Sequence, residues 1–281
     1  MEGNPCEAVL NNVGGTRIVA EAAHRHEVER FILISTDKAV NPVSVMGASK
    51  GIAELLLQKL GRSSRTRFAT VRFGNVLGSN GSVVPLFLEQ IKAGGPVTIT
   101  DPQMRRYFML VAEAVHLVLH AAHLAKGGEL FVLEMGEQIS VVEMARNLIR
   151  LAGFVPDKDI ALAYVGCRPG EKLVEELVAA HERVEKTAIS KVLAVVPDSG
   201  RDLTRLSTLV AQLEESAAEG SVATVLELLR TMLPSYHPSP VPATSEGSPD
   251  ADNGVTEGVP APSVDIVTAA GPSSTGSRRR A

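Results

Sequence analysis

Tryptophan is absent from this sequence and cysteine nearly so, with Cys6 and Cys167 far apart and in no metal-like spacing. That excludes a disulfide framework and a thiolate metal centre, and makes a reducing compartment, the cytoplasm, the expected location. Also lacking is any run of about 18 apolar residues, so no segment is expected to span a bilayer. The opening MEGNPCEAV has no basic stretch followed by an apolar one and does not resemble a signal peptide. An excess of either charge is missing too. A net charge of −4 over 281 residues leaves no basic surface for nucleic acid. What remains, 44% apolar and 21% charged, is the balance of a globular protein, and no internal repeat is visible.

Hydrophobic periodicity divides the chain. From Glu7 to Glu27 the pattern is helical, with Val9, Val13, Ile18, Val19, Ala22 and Ala23 on roughly one face. Phe31-Ile32-Leu33-Ile34 is apolar at every position, as expected of a parallel strand buried on both faces. Helices are expected at Val45–Leu60, Val84–Ala93, Ala112–Ala125 and Val141–Ala152, and strands at Phe68–Val71, Val97–Ile99, Leu130–Leu133 and Ile160–Val165. A Gly/Ser-rich loop, Gly74 to Ser82, follows the second strand. Strands alternating with helices of this length imply βαβ units and a mostly parallel sheet. Such sheets bind ligands at the carboxyl ends of their strands, which places the loops after Ile34 and Phe73 in the candidate site.

Ser207–Met232 reads as a helical segment. From Pro234 to Ala281 the chain holds eight of its sixteen prolines, one aromatic residue and many Ser, Gly and Thr. Such a tail cannot bury enough apolar surface to offset its ordering entropy and is expected to be disordered.

Chemistry concentrates in Ser35-Thr36-Asp37-Lys38-Ala39 and Met46-Gly47-Ala48-Ser49-Lys50. The first lies just past a strand, and the second puts Lys50 one turn after Met46 on the next helix. A hydroxyl, a carboxyl and two amines would then converge. A carboxylic acid can protonate a leaving hydroxyl, a neutral amine can take a proton from carbon, and a second ammonium can fix a ribose. The alternative is structural: Thr36 and Asp37 capping the next turn, with Lys38 solvated.

These motifs, with Asn41-Pro42, Val71-Arg72-Phe73-Gly74-Asn75-Val76-Leu77-Gly78-Ser79, Gly81-Ser82-Val83-Val84-Pro85, Asp101-Pro102-Gln103-Met104-Arg105-Arg106-Tyr107-Phe108 and Gly166-Cys167-Arg168-Pro169-Gly170-Glu171-Lys172, occur in one order over about residues 5–180. In that order they resemble the CapD-like nucleotide-sugar 4,6-dehydratases of polysaccharide biosynthesis, extended short-chain dehydrogenases. The resemblance implies an α/β fold: the C-terminal half of a Rossmann-type, doubly wound parallel sheet with a small substrate-binding lobe. It divides the chain into a partial NAD(P)-binding domain (1–84), the lobe with the last Rossmann elements (85–200), a helical extension (201–233) and the tail (234–281).

It also implies a redox-neutral elimination on a UDP-N-acetylglucosamine-like sugar with NADP or NAD. Lys38 would remove the C5 proton, Asp37 would protonate the departing C6 hydroxyl, and Thr36 would bond the C4 oxygen. Lys50 would hold the nicotinamide ribose, with Asn12, Ser35 and Val76 also on the cofactor side. Asn75, Ser82, Thr100, Arg106 and Arg168 would meet the UDP-sugar, the arginines through bidentate contacts to phosphate. Structurally, Arg106 could instead pair with Asp101, and Arg168 with Glu171.

The resemblance further implies a homo-oligomer, in which the helix bearing Lys50 often pairs. A 4-epimerase on the same scaffold, or an inactive fragment that binds UDP-sugar weakly or pairs with another subunit, are the rival readings.

Two departures from the family pattern stand out. Most short-chain dehydrogenases have tyrosine where this chain has Met46, and a thioether has no titratable proton. That leaves Lys50, a water or Thr36 to take the C4 hydroxyl proton. The family's Gly-x-x-Gly-x-x-Gly turn is also absent. The sequence is therefore expected to carry the catalytic half of the fold without its pyrophosphate cradle, and with an exposed sheet edge. His116, His120 and His123 share a helix, but no full ligand set accompanies them and no metal site is expected. Glu171 to Glu185 is read as a solvated helix face.

Overall fold

The computed structural model of the protein describes residues 1–79, 82–196 and 202–238. The expected disordered tail falls, from residue 239 onward, outside the described residues. Short of that point Tyr236 is 2% exposed and packs with the body of the protein.

The N-terminal helix is not the single regular one expected. It runs as α1 (Pro5–Val9), a π-helical turn (Leu10–Gly14) and α2 (Gly15–Arg25). A π turn carries an extra residue and so rotates everything after it by roughly 100°. That is why Val9 and Val13 are buried while Ile18 and Val19, predicted on the same face, are 58% and 56% exposed. Ala20 and Ala23 take their place against the core.

The main sheet has the order β1-β2-β7-β11-β10. Strands β1 (Arg30–Ile34), β2 (Arg67–Arg72) and β7 (Glu129–Leu133) run parallel, while β11 (Val192–Val195) and β10 (Val184–Lys186) close the sheet antiparallel. Helices cover both faces. Phe68 of β2 points to α3 (Val45–Gly61) and α2, in a cluster with Leu57, Ala53 and Ala23. Its neighbours Ala69 and Val71 point to α5 (Val111–Leu124) through Leu117 and Ala121. This is the doubly wound, Rossmann-type half-sheet that the strand pattern implied. One detail differs: β1 is an edge strand among the described residues, so Phe31 and Ile32 are half-buried and Ile34 is exposed.

A smaller lobe forms around α4 (Val83–Lys92) and α6 (Val141–Leu151), which bury Phe87, Ile91, Ala145 and Ile149 on β4 (Val97–Ile99). Its strands come in pairs. Within the expected Gly/Ser loop, β3 (Asn75–Leu77) pairs in parallel with β6 (Phe108–Leu110). β5 (Arg105–Arg106) pairs with β8 (Ile139–Ser140), and β4 pairs with β9 (Leu162–Tyr164). The stretch Glu171–Glu185 is not a helix: it is a chain of turns and bends ending in β10.

The single C-terminal helical segment predicted is a pair, α7 (Leu206–Ala218) and α8 (Val222–Met232), broken at Gly220 with φ 75°. Glycine adopts that conformation without the steric cost other residues meet. Leu206, Val210, Leu213, Val225 and Leu229 pack on Val9, Val45, Ile52 and Leu56. The protein's own C-terminal helices thus cover the outer face of α3, and Arg17 of α2 reaches Glu214 of α7 through two hydrogen bonds of 2.7 and 2.8 Å.

Three parts meet at Arg72. Its guanidinium holds Glu54 of α3 (2.6 Å) and Glu182 of the segment before β10 (2.8 Å), all buried or nearly so. Removing one member of such a group leaves a buried charge without its partner, at a cost of about 3–5 kcal/mol. Arg72→Met should therefore lower unfolding stability by about that amount in urea titrations; a loss under about 1 kcal/mol would show that the network is incidental.

Candidate active site

The chain leaves the sheet at Ile34 and turns at once. Thr36 is extended, and its Oγ1 accepts from the Lys38 backbone N–H at 3.3 Å and donates to Asp37 Oδ1 at 2.9 Å. The capping role weighed for Thr36 is thus present, and it orients the acid beside it. The Asp37 backbone N–H donates to Phe73 O at 3.2 Å, tying this turn to the end of β2. Gly47 makes the junction with α3 possible, since a Cβ there would stand 2.1 Å from the Lys38 carbonyl oxygen.

Asp37 is 0% exposed. One oxygen, Oδ1, accepts from Thr36 and from Lys38 Nζ (2.9 Å), while Oδ2 has no partner. That free oxygen lies beside Gly74, where a Cβ would be 3.0 Å away. Lys38 Nζ also donates to Asn75 Oδ1 at 3.2 Å and stands 3.9 Å from Glu175 Oε1. Glu175 is a residue the sequence reading did not single out. It is 3% exposed, with burial pushing its pKa up, Asp37 adding to that, and Lys38, Arg106 and Lys172 opposing it.

Lys50 sits one helical turn beyond Met46, as expected, and its Nζ donates to the Ile34 carbonyl at the end of β1 (2.7 Å). Burial lowers its pKa, against the opposing charge of Glu54. The π turn delivers Asn12 to this helix, where its Nδ2 donates to Ser49 Oγ at 2.9 Å; Ser49 in turn donates to the Met46 carbonyl. Ser35 faces the other way: its buried hydroxyl donates to Glu54 Oε1 at 2.5 Å, which takes it away from the crevice. Val76 is half-buried on β3, next to Asn75.

A cavity of about 250 Å³ opens in the lobe. Its lining includes Asn75, Thr100, Arg106 and Arg168, with Phe87 and Phe108 as apolar wall. Asn75 therefore stands both in the cavity and against Lys38. Arg106 does not pair with Asp101. It is buried, and its guanidinium donates to the carbonyls of Arg105, Lys172 and Leu173 (2.7–2.9 Å), with Glu171 at 3.7 Å. Arg168 is exposed, and its backbone N–H, rather than its side chain, meets Glu171. Ser82, just before α4, has a buried hydroxyl with no partner among the described residues.

Elsewhere, a larger crevice of about 430 Å³ between α2, α3 and α7 contains Arg17, Glu21 and Glu214, charges already satisfied by one another. His116 and His120 contact each other at 2.9 Å, and no cluster of three metal-ligating side chains occurs among the described residues.

Of the residues expected on the cofactor side, Lys50 reaches the end of β1 and Asn12 bonds Ser49, the residue before Lys50 on α3. Gly14 and Gly15 lie in helical backbone and form no turn that could offer amides to a pyrophosphate.

Residues 1–197 match the family described as polysaccharide biosynthesis protein. The capsular polysaccharide biosynthesis protein CapD of Staphylococcus aureus is 57% identical over 183 residues, which cover 65% of this chain and 30% of that protein. A UDP-glucose 4-epimerase of Rickettsia canadensis is 36% identical over 202 residues, 71% of this chain and 58% of its own. Among solved structures, Pen from Bacillus thuringiensis superposes with a TM-score of 0.64 at 36% identity, over 72% of this chain and 62% of that one. The chain thus spans under two thirds of each of these relatives.

The buried acid has a measurable signature. Because the folded pKa of Glu175 lies above the ordinary 4.5, the native state binds the extra proton, and stability is lost as pH rises from about 4.5 through the raised value. Thermal unfolding followed across that range should show Glu175→Gln losing less stability than the parent. Parallel curves for the two proteins would refute this.

Proposed function

The chain belongs to the polysaccharide biosynthesis protein family, and on that premise we propose that it is a nucleotide-sugar 4,6-dehydratase. Its substrate in this reading is a UDP-N-acetylglucosamine-like sugar, its redox cofactor NADP or NAD, and its place the cytoplasm, as a homo-oligomer. The observation that carries it is the pair of buried Asp37 and half-buried Lys38, with one free carboxyl oxygen, joined through Asn75 to the cavity that Asn75 lines.

Elimination of water across C5 and C6 needs a base for the C5 proton and an acid for the C6 hydroxyl, both acting from fixed places. Lys38 suits the first role: its amine is held by Asp37 and Asn75, yet it is not sealed in. Asp37 suits the second, since Oδ2 is free to carry and deliver a proton while Oδ1 is occupied. The nicotinamide, when bound, supplies the hydride acceptor at C4 and the donor at C6, so the net reaction is loss of water alone. Met46 cannot take the C4 hydroxyl proton. Lys50, whose pKa is lowered by burial, and Thr36 are the candidates.

Arg168 and Arg106 are assigned to the diphosphate, in different ways. Arg168 is exposed and can reach an anion directly. Arg106 is committed to backbone carbonyls and supplies positive potential from behind. The domain reading extends this: the partial dinucleotide-binding part at 1–84 and the lobe at 85–200 form the two walls of the site, with 201–233 bracing the first.

The Rickettsia relative favours a second reading, 4-epimerisation, in which the C6 oxygen is retained. Incubation with UDP-N-acetylglucosamine and NADP separates them. A product lighter by one water supports dehydration, and unchanged mass with an inverted C4 supports epimerisation. Lys38→Met should slow elimination by about 10²–10⁴-fold, the usual contribution of a positioned base. Calorimetry with NADP on the same chain tests whether it grips the cofactor at all; absence of heat and of turnover would leave the reading of a fragment that needs another subunit.

A further inference from the structure

Base chemistry at Lys38 requires the amine to stand in one place and to shed its proton when needed. Two side chains hydrogen-bond it, Asp37 at 2.9 Å and Asn75 at 3.2 Å, and a third, Glu175, stands as a charge partner at 3.9 Å. The first two lie at the carboxyl ends of β1 and β2. Glu175 comes from the turns after β9 and is brought in by a separate device. Arg106 clamps the carbonyls of Lys172 and Leu173, the Arg105 N–H donates to Leu173 O at 3.0 Å, and Gln138 Nε2 donates to the Glu175 carbonyl at 2.6 Å.

At the end of this clamp the carboxyl is 3% exposed, and its Oε2 has no partner. A buried acid with no hydrogen bond to its carboxyl costs stability, and an apolar side chain of similar size would remove that cost. Its orientation toward Lys38 is the one thing it gains there.

We propose that Glu175 is a positioning residue for Lys38, fixing where the amine stands through the ion pair between them. The inference rests on the dehydratase reading for its chemistry. The groups facing Glu175 are Lys38 and Asp37 on one side and Arg106 and Lys172 from the lobe.

Competitive acetylation of the whole chain, read lysine by lysine by mass spectrometry at mildly alkaline pH, tests this without needing turnover. Removing the facing carboxylate should raise the labelling of Lys38 in Glu175→Gln by about threefold, the equivalent of half a pH unit, with other lysines unchanged. Glu175→Asp should fall between the two and so rescue in part. Lys38 labelling equal to the parent in Glu175→Gln overturns the proposal. Should that variant not fold, Glu175→Asp decides alone: raised labelling supports, unchanged labelling overturns. Failure of the dehydratase reading would appear elsewhere, as absence of water loss in the unsubstituted protein.

Discussion

Arg72 is the constraint on which the rest of the site depends. A guanidinium at the end of β2 cannot lose its charge, so burial there is tolerable only if carboxylates come to meet it. Glu54 arrives from the middle of α3 and Glu182 from the segment leading into β10. Glu54 also takes the Ser35 hydroxyl, which fixes the residue immediately before the Thr36-Asp37-Lys38 turn. One cation thus sets the relation between the two strands whose ends form the crevice, the helix carrying Lys50, and the chain that returns from the lobe. The cost of burying four polar groups is repaid in geometry more than in stability.

A second device works by displacement. The π turn at Leu10–Gly14 spends one residue out of register, and that residue's worth of rotation allows Asn12 to reach Ser49 while Val9 and Val13 remain in the core. Regular helix would have kept the apolar stripe continuous and turned a different face toward α3. Ile18 and Val19 are exposed as a direct result.

How much of this could be read from residues alone differs by the kind of interaction. Parallel strands and their helices were legible because periodicity reports burial, as at Phe68 and Leu130–Leu133. The Thr36-Asp37-Lys38 turn and its Asn75 neighbour were legible through ordered motifs. The π turn was not, since Val9, Val13, Ile18 and Val19 fit a regular helix equally well. β10 was missed because Val184-Glu185-Lys186 is short, charged and exposed, and β11 because Val192–Val195 is only four residues long. Nothing in the residue types separates Glu175 from Glu176, yet one is buried against Lys38 and the other bonds Asn41 on the surface. Such a difference is made by tertiary closure, here the Arg106 clamp, and leaves no local trace.

The α7–α8 pair lies beyond residue 197, where the similarity to the family ends, and yet it shares one continuous apolar core with residues 8 to 56. Recognisable ancestry and cooperative folding therefore have different borders in this protein. Trimmed to the residues that match the family, the chain would keep every motif and lose the surface that shields Val45, Ile52 and Leu56 from water. The helix that presents Lys50 would then be bared along its back. The least informative stretch of sequence is in this sense the keel of the most informative one.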